Sequence, residues 1–194
     1  MSYDPARHHR RPIRLREYDY TQSGAYFVTI CTQGRECLFG DAIDGDMVLN
    51  QRGKIVEQTW HELPQHYPGV EVDAFVVMPN HVHGIIILVG AGPRACPDDP
   101  GQPQGEGQPQ GVAPTTSLSL PHVVHRFKSL TTARYRIGVL QNGWRPFPGR
   151  LWQRNYHEHI IRNEEELNHI RQYIIDNPSH WERDEENPAY TKSL

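Results

Sequence analysis

The chain has 194 residues, a net charge of −3 at neutral pH and 37% hydrophobic residues, which suits one domain with its own core. No apolar run reaches the roughly 18 residues that a membrane helix needs, and the Arg- and His-rich start lacks the apolar stretch of a secretory signal. Three scattered cysteines, Cys31, Cys37 and Cys96, without CxxC spacing, suggest neither a disulfide framework nor a zinc knuckle and point to a reducing cytoplasm.

Residues 1–20 read as an irregular basic arm carrying Arg7, Arg10, Arg11, Arg14 and Arg16. Ala25 to Thr32 is aromatic and β-branched and predicts a strand. Residues 41–46 are turn-like. Asn50 to Leu63 predicts a helix with Ile55, Thr59 and Leu63 on one face, ended by Pro64 and Pro68-Gly69. Val70 to Met78 is a second strand, Pro79-Asn80 a turn and His81 to Val89 a third strand. Residues 90–117, with GQPQGEGQPQG, form a low-complexity linker that cannot build a core. Loop closure grows only logarithmically with length, so the halves on either side can share one domain.

Leu120 to Val139 predicts a basic helix and Trp152 to Ile161 a fourth strand. Asn163 at the N-cap and Glu166 three residues on form a capping box, opening a helix whose apolar stripe is Leu167, Ile170 and Ile174. Pro178 stops it at Asn177. The order β-α-β-β-linker-α-β-α is an α+β, ferredoxin-like split βαβ pattern with an antiparallel sheet and one added C-terminal helix. The expected organisation is a basic arm at 1–20, a single domain at 21–181 interrupted at 90–117, and an acidic tail at 182–194.

The charge is segregated. Between residues 120 and 163 stand Arg126, Lys128, Arg134, Arg136, Arg145, Arg150, Arg154 and Arg162 against one acid, Glu158, a local balance of +7. Acids gather at 41–46, 164–166 and 182–186. Clustered Arg and Lys are what contact phosphates, although a solvated basic face has the same composition.

Two groupings bear chemistry. His81 and His83 alternate at the start of a strand, so both imidazoles point to one face and can grip one divalent ion; a pair of surface histidines is the plain alternative. The continuation Ile85-Ile86-Ile87-Leu88 is too apolar for an exposed edge. Tyr173 and Asn177 stand one helical turn apart, a hydroxyl nucleophile beside a third candidate metal ligand; a core-rim aromatic and a helix C-cap are the ordinary readings. A phosphodiester repels nucleophiles, and a divalent ion offsets that charge. A phosphotyrosine ester conserves the bond energy, so one tyrosine and one metal suffice to cut and rejoin a strand without ATP.

With these residues in view, VVMPNHVHGIIIL and LWQRNYHEHIIRNEEELNHIRQYIIDNPSHW resemble the IS200-like transposases, single-tyrosine (Y1) enzymes of the HUH, or His-hydrophobic-His, type, and among them the REP-associated tyrosine transposases. The likeness runs from about Arg14 to Trp181, apart from the linker. It implies a ferredoxin-like fold, His81, His83 and Asn177 as metal ligands, and Tyr173 as nucleophile. It also implies Mg²⁺ or Mn²⁺ as cofactor, and single-stranded DNA, often beside a hairpin, as the substrate for cleavage and strand transfer. Arg126, Lys128, Arg134, Arg136 and Arg154 are the expected DNA contacts; Phe127, Lys128 and Ser129 match a stretch common in relatives, with a DNA-contact or packing role. Tyr156 ranks below Tyr173 because it has no Asn one helical turn on. His157 and His159 read as strand packing, or as groups around the metal or DNA.

A histidine-triad hydrolase would need a third alternating His where Ile85 stands. Replication initiators and relaxases carry a third motif His or paired tyrosines, whereas Ile174 and Ile175 follow Tyr173. A hairpin- or single-strand-binding regulator with little catalysis is the remaining alternative.

Overall fold

The structure is a computed structural model and describes residues 18–89 and 118–190. The linker at 90–117 and most of the basic arm lie outside the described residues. The strands are β1 (Gly24–Cys31), β2 (Gly40–Ile43), β3 (Asp46–Leu49), β4 (Val70–Val77), β5 (His81–Leu88) and β6 (His157–Ile161). The helices are α1 (Gln51–His61), α2 (Leu63–His66), α3 (Leu120–Asn142) and α4 (Glu164–Asp176).

Four strands make one antiparallel sheet in the order β4-β5-β1-β6. With α1 and α3 as the two crossovers, this is the expected ferredoxin-like α+β arrangement. Strand alternation divides the core. Tyr26, Val28, Ile30, Val82 and Ile86 face the layer that holds Trp60 of α1 and Phe127 of α3. Ile85, together with Phe27, Val76 and Ile87, faces Leu167, Ile170 and Ile174 of α4. Both faces of β5 are therefore covered, and all but one of its residues are buried. The period of two also fixes which face carries the histidines: His81 and His83 share the α4 face with Ile85.

Gly84 points the other way. A Cβ there would overlap the indole of Trp60 and press on the Phe75 ring, and those two rings stack with centroids 4.4 Å apart. α4 is tied down by the bidentate pair of Arg171 with Asp73 on β4, at 2.9 and 2.6 Å. Its N-cap is as expected, Asn163 accepting from the Glu166 amide at 2.8 Å. The Glu166 carboxylate reaches one residue further back than a capping box does, to the Arg162 amide at 2.8 Å.

Several elements differ from the sequence reading. Residues 40–49 form a hairpin, turned by Asp44 and Gly45 with φ of 54° and 88°, the two positive angles of a type I′ turn. The last strand pairs only from His157. Trp152 makes an isolated bridge to Thr32, and the carbonyls of Gln153, Arg154 and Asn155 turn instead to the Lys128 ammonium at 3.0, 3.4 and 3.1 Å. Pro178 ends α4, but a 3-10 segment continues over Asn177–Arg183.

Candidate metal centre and nucleophile cleft

His81 opens β5 directly after the Pro79-Asn80 turn. Asn80 is fully buried, and its amide nitrogen donates to the carbonyls of Arg35 at 3.1 Å and Glu186 at 2.7 Å. Its Oδ1 is thereby aimed at His81 Nδ1, 2.8 Å away. An amide oxygen only accepts, so Nδ1 carries the proton and the Nε2 lone pair is bare. His83 Nδ1 lies 2.9 Å from the Thr29 hydroxyl, across the β1–β5 register. The two Nε2 atoms face each other at 3.0 Å.

A third group comes from outside β5 and α4. Asp184 Oδ2 lies 3.7 Å from His81 Nε2, and His81, His83 and Asp184 present ligand atoms within 4.8 Å of one another. Residues 184–186, read in sequence as part of an acidic tail, are held on this side of the sheet. Arg35 bonds the Glu185 carbonyl at 3.2 Å and pairs with Glu186 at 2.8 Å.

The electrostatics favour a cation. Burial, and then the neighbouring His83, hold His81 well below its ordinary range. Burial, and then the charge of His157, lower His83 to about 3. Both imidazoles are thus neutral donors at physiological pH. Burial raises the Asp184 carboxyl, helped by Glu186 and Glu185. Asn177 is buried, and its Oδ1 has no partner among the described residues, an arrangement that ordinarily costs free energy. A bare imidazole lone pair facing a carboxylate, beside an orphaned amide oxygen, fits a hard divalent ion with mixed N/O ligation.

Beside this cluster opens a cleft of about 680 Å³, lined among others by His83, His157, His169, Tyr173, Asn177 and Asp184. The Tyr173 ring packs edge-on against His83 with centroids 5.4 Å apart and against Phe27 at 5.9 Å. It remains 47% exposed, so the hydroxyl can meet a ligand. Burial and the Asp184 charge raise its pKa, and a hydrogen bond from Asn177 works the other way.

The structure thus brings His81, His83, Tyr173 and Asn177 to one place and adds Asp184 and Asn80, which sequence reasoning missed. It parts the basic residues. Arg126, Arg136 and Arg154 are exposed. Arg134 is engaged by Glu62 at 2.5 Å and Thr59 at 2.8 Å, and Lys128 holds the 153–155 carbonyls. Tyr156 precedes β6 with its ring beneath the Lys128 ammonium, 5.2 Å from the centroid. His157 lines the cleft, whereas His159 pairs with Glu166 at 2.7 Å. No helix among the described residues is long and apolar enough to cross a membrane.

Fold and site together define an α+β ferredoxin-like domain with a buried His-His-Asp cluster able to hold a metal ion beside an accessible tyrosine. No protein-family model matches the chain. The chain is 41% identical over 185 residues to an uncharacterized protein of Haemophilus influenzae (strain Rd), covering 94% of this chain and 96% of that one, and belongs to the same family as that protein. Among solved structures it is similar to a REP-associated tyrosine transposase bound to a REP hairpin (TM-score 0.49, 20% identity, 86% of this chain and 72% of that one). It is similar also to a protein described as a candidate transposase of Deinococcus radiodurans R1 (TM-score 0.42, 20% identity, 83% of this chain and 94% of that one). Both scores lie below one half; the fold assignment rests on strand order and register.

Proposed function

We propose that the protein cleaves and rejoins single-stranded DNA, at or near hairpins, through a 5′-phosphotyrosine on Tyr173. The observation that carries this reading is the convergence of His81 Nε2, His83 Nε2 and Asp184 at the edge of the cleft that also holds the exposed Tyr173 ring. His81 and His83 would hold the ion, with Asp184 or the Asn177 amide oxygen completing the set. When bound, Mg²⁺ or Mn²⁺ would offset charge on the non-bridging phosphate oxygens. The Tyr173 oxygen attacks phosphorus, and its proton leaves to solvent. The P–O3′ bond breaks, and the departing oxygen takes a proton to become a 3′-hydroxyl. The reverse attack, by the 3′-hydroxyl of another strand, releases tyrosine and restores a phosphodiester. Asn177 positions the Tyr173 hydroxyl through a hydrogen bond that works against the rise burial imposes on it. Arg126, Arg136 and Arg154 supply backbone contacts, while Lys128 and Arg134 act mainly through the loop and helix they hold.

The test is a covalent-adduct assay with labelled hairpin-bearing oligonucleotides, Mg²⁺ or Mn²⁺, an EDTA control and Tyr173→Phe. The expected result is label that stays on the protein in a denaturing gel, needs metal and vanishes in Tyr173→Phe. An adduct that survives Tyr173→Phe would overturn the assignment in favour of Tyr156. Tight, salt-sensitive binding with no adduct would leave a single-strand-binding regulator as the function.

A further inference from the structure

A second concavity, of about 500 Å³, lies on the opposite face of the sheet between α3 and the loop before β6. It is lined by Ser129, Thr132, Gly149 and the buried Leu151 and Trp152, together with Arg136, Arg150 and Arg154. No Asp or Glu lines it, and none of the three arginines is in an ion pair among the described residues. Guanidinium groups outside ion pairs over an acid-free hollow suit a phosphate-bearing ligand.

The wall is preformed. Besides the three Lys128 contacts, the Gln33 amide donates to the Leu151 carbonyl at 2.8 Å and the Gln153 amide to the Cys31 carbonyl at 2.9 Å. Leu151 and Trp152 are buried beneath it, and the Trp152 indole donates to Thr131 on α3 at 2.8 Å. Such a wall loses little entropy when a ligand binds. The hollow has the volume of a small-ligand site and is too confined for the width of a duplex, so it suits one or two unpaired nucleotides. It also lies close along the chain to the first cleft. Arg154 lines the hollow and His157, three residues on, lines the Tyr173 cleft, a separation of at most about 10 Å of chain. β6 is the edge strand there, so a flexible strand can pass round the open edge from one concavity to the other.

We infer that the groove formed by α3 and residues 149–154 is a second DNA subsite, which grips the sugar–phosphate backbone of unpaired nucleotides flanking those in the Tyr173 cleft. The inference rests on the strand-transfer reading for the identity of the ligand, and its test is run without metal so that the two can fail separately. Anisotropy of a labelled oligothymidylate of about eight nucleotides and of a duplex of equal length is measured in EDTA across a salt series. The proteins are wild type, the Arg136→Ala/Arg150→Ala double variant, Arg154→Ala, and Lys54→Ala on the exposed face of α1 as control.

The double variant is expected to weaken single-strand binding about tenfold near 0.1 M salt. Each lost phosphate contact should make the salt slope shallower by about 0.7. Duplex binding and the control should not change. Arg154→Ala gives a smaller loss of the same kind and guards against a folding defect caused by removing Arg136 from the Phe147 ring, 5.9 Å away. Unchanged affinity and slope in both variants would overturn the subsite, as would equal losses on duplex and single strand. A wild-type adduct together with unchanged variant binding sinks the groove alone. Lost variant binding without any adduct keeps the groove and sinks the chemistry.

Discussion

The two concavities are chemical opposites on either face of one sheet. The Tyr173 cleft is walled by Asp176, Asp184, Glu185 and Glu186 against one arginine, Arg183, a net acidic field that repels a phosphodiester until a cation is present. The α3 groove holds four basic side chains, a histidine and no acid, a field that attracts the same backbone unaided. On the proposed function, affinity and chemistry thus fall to different places.

The sharpest way to break this division is to remove a metal ligand. His81→Ala or His83→Ala should lower metal-dependent adduct formation at least about a hundredfold and leave oligonucleotide affinity in EDTA within about twofold. A parallel loss of affinity would mean that the clefts do not divide the work. Next in size is Asn80→Ala, which frees the His81 ring from its tautomer-fixing partner. Metal affinity, read by calorimetry with Mn²⁺, should fall about 10–100-fold, and an unchanged affinity would show that the orientation of His81 is set elsewhere. Smaller again, and blind to the distinction, is Gly84→Ala. Its methyl group must displace the Trp60 indole behind β5, which should cost about 1–3 kcal/mol of stability in a denaturant melt. A melt identical to wild type would mean that the Trp60–Phe75 stack yields easily.

Periodicity and punctuation made most of this fold legible. Alternation in HVHGIIIL put both histidines on one face, and Pro178 and the Asn163 cap bounded α4. The hairpin at 40–49 went unread because its strands are four residues each, although Asp44-Gly45 is the signature dipeptide of its turn. Trp152 to Tyr156 has strand composition, but no propensity reveals that Lys128, at least 25 positions earlier on α3, takes its carbonyls. Asp184 was invisible for the same reason. It stands 101 positions after His83 in a run of acids that resembles a solvated tail, and long-range bonds from residues such as Arg35 and Asn80 bring that run to the site. Local rules place a side chain on its element, whereas a ligand delivered by a loop depends on long-range tethers that have no period.

A pH dependence belongs to one cleft only. His83 has a folded pKa of about 3 against an ordinary value of 6.5. The unfolded chain takes up a proton as pH falls below about 6.5, while the folded chain refuses it until near 3. Between those values the unfolded state binds more protons, so stability rises with pH. Metal-free protein should therefore lose stability steadily as pH drops from about 6.5, and His81, also lowered by burial, acts in the same direction. Asp73, held down chiefly by its hydrogen bonds from Arg171, contributes stability that is lost only below the ordinary carboxylate value of 3.8. Asp184, raised by burial, offsets part of the loss just above that value. Thermal melts in EDTA between pH 7.5 and 4.5 should show the decline, His83→Gln should flatten it, and Arg154→Ala should leave its slope unchanged. Mn²⁺ should move the onset to lower pH, because a bound ion holds the imidazoles deprotonated and protons must compete with it. A decline that begins only below pH 4 would locate the acid sensitivity in the Asp73–Arg171 tie, and the buried histidine pair would then exchange protons with solvent more freely than its enclosure implies.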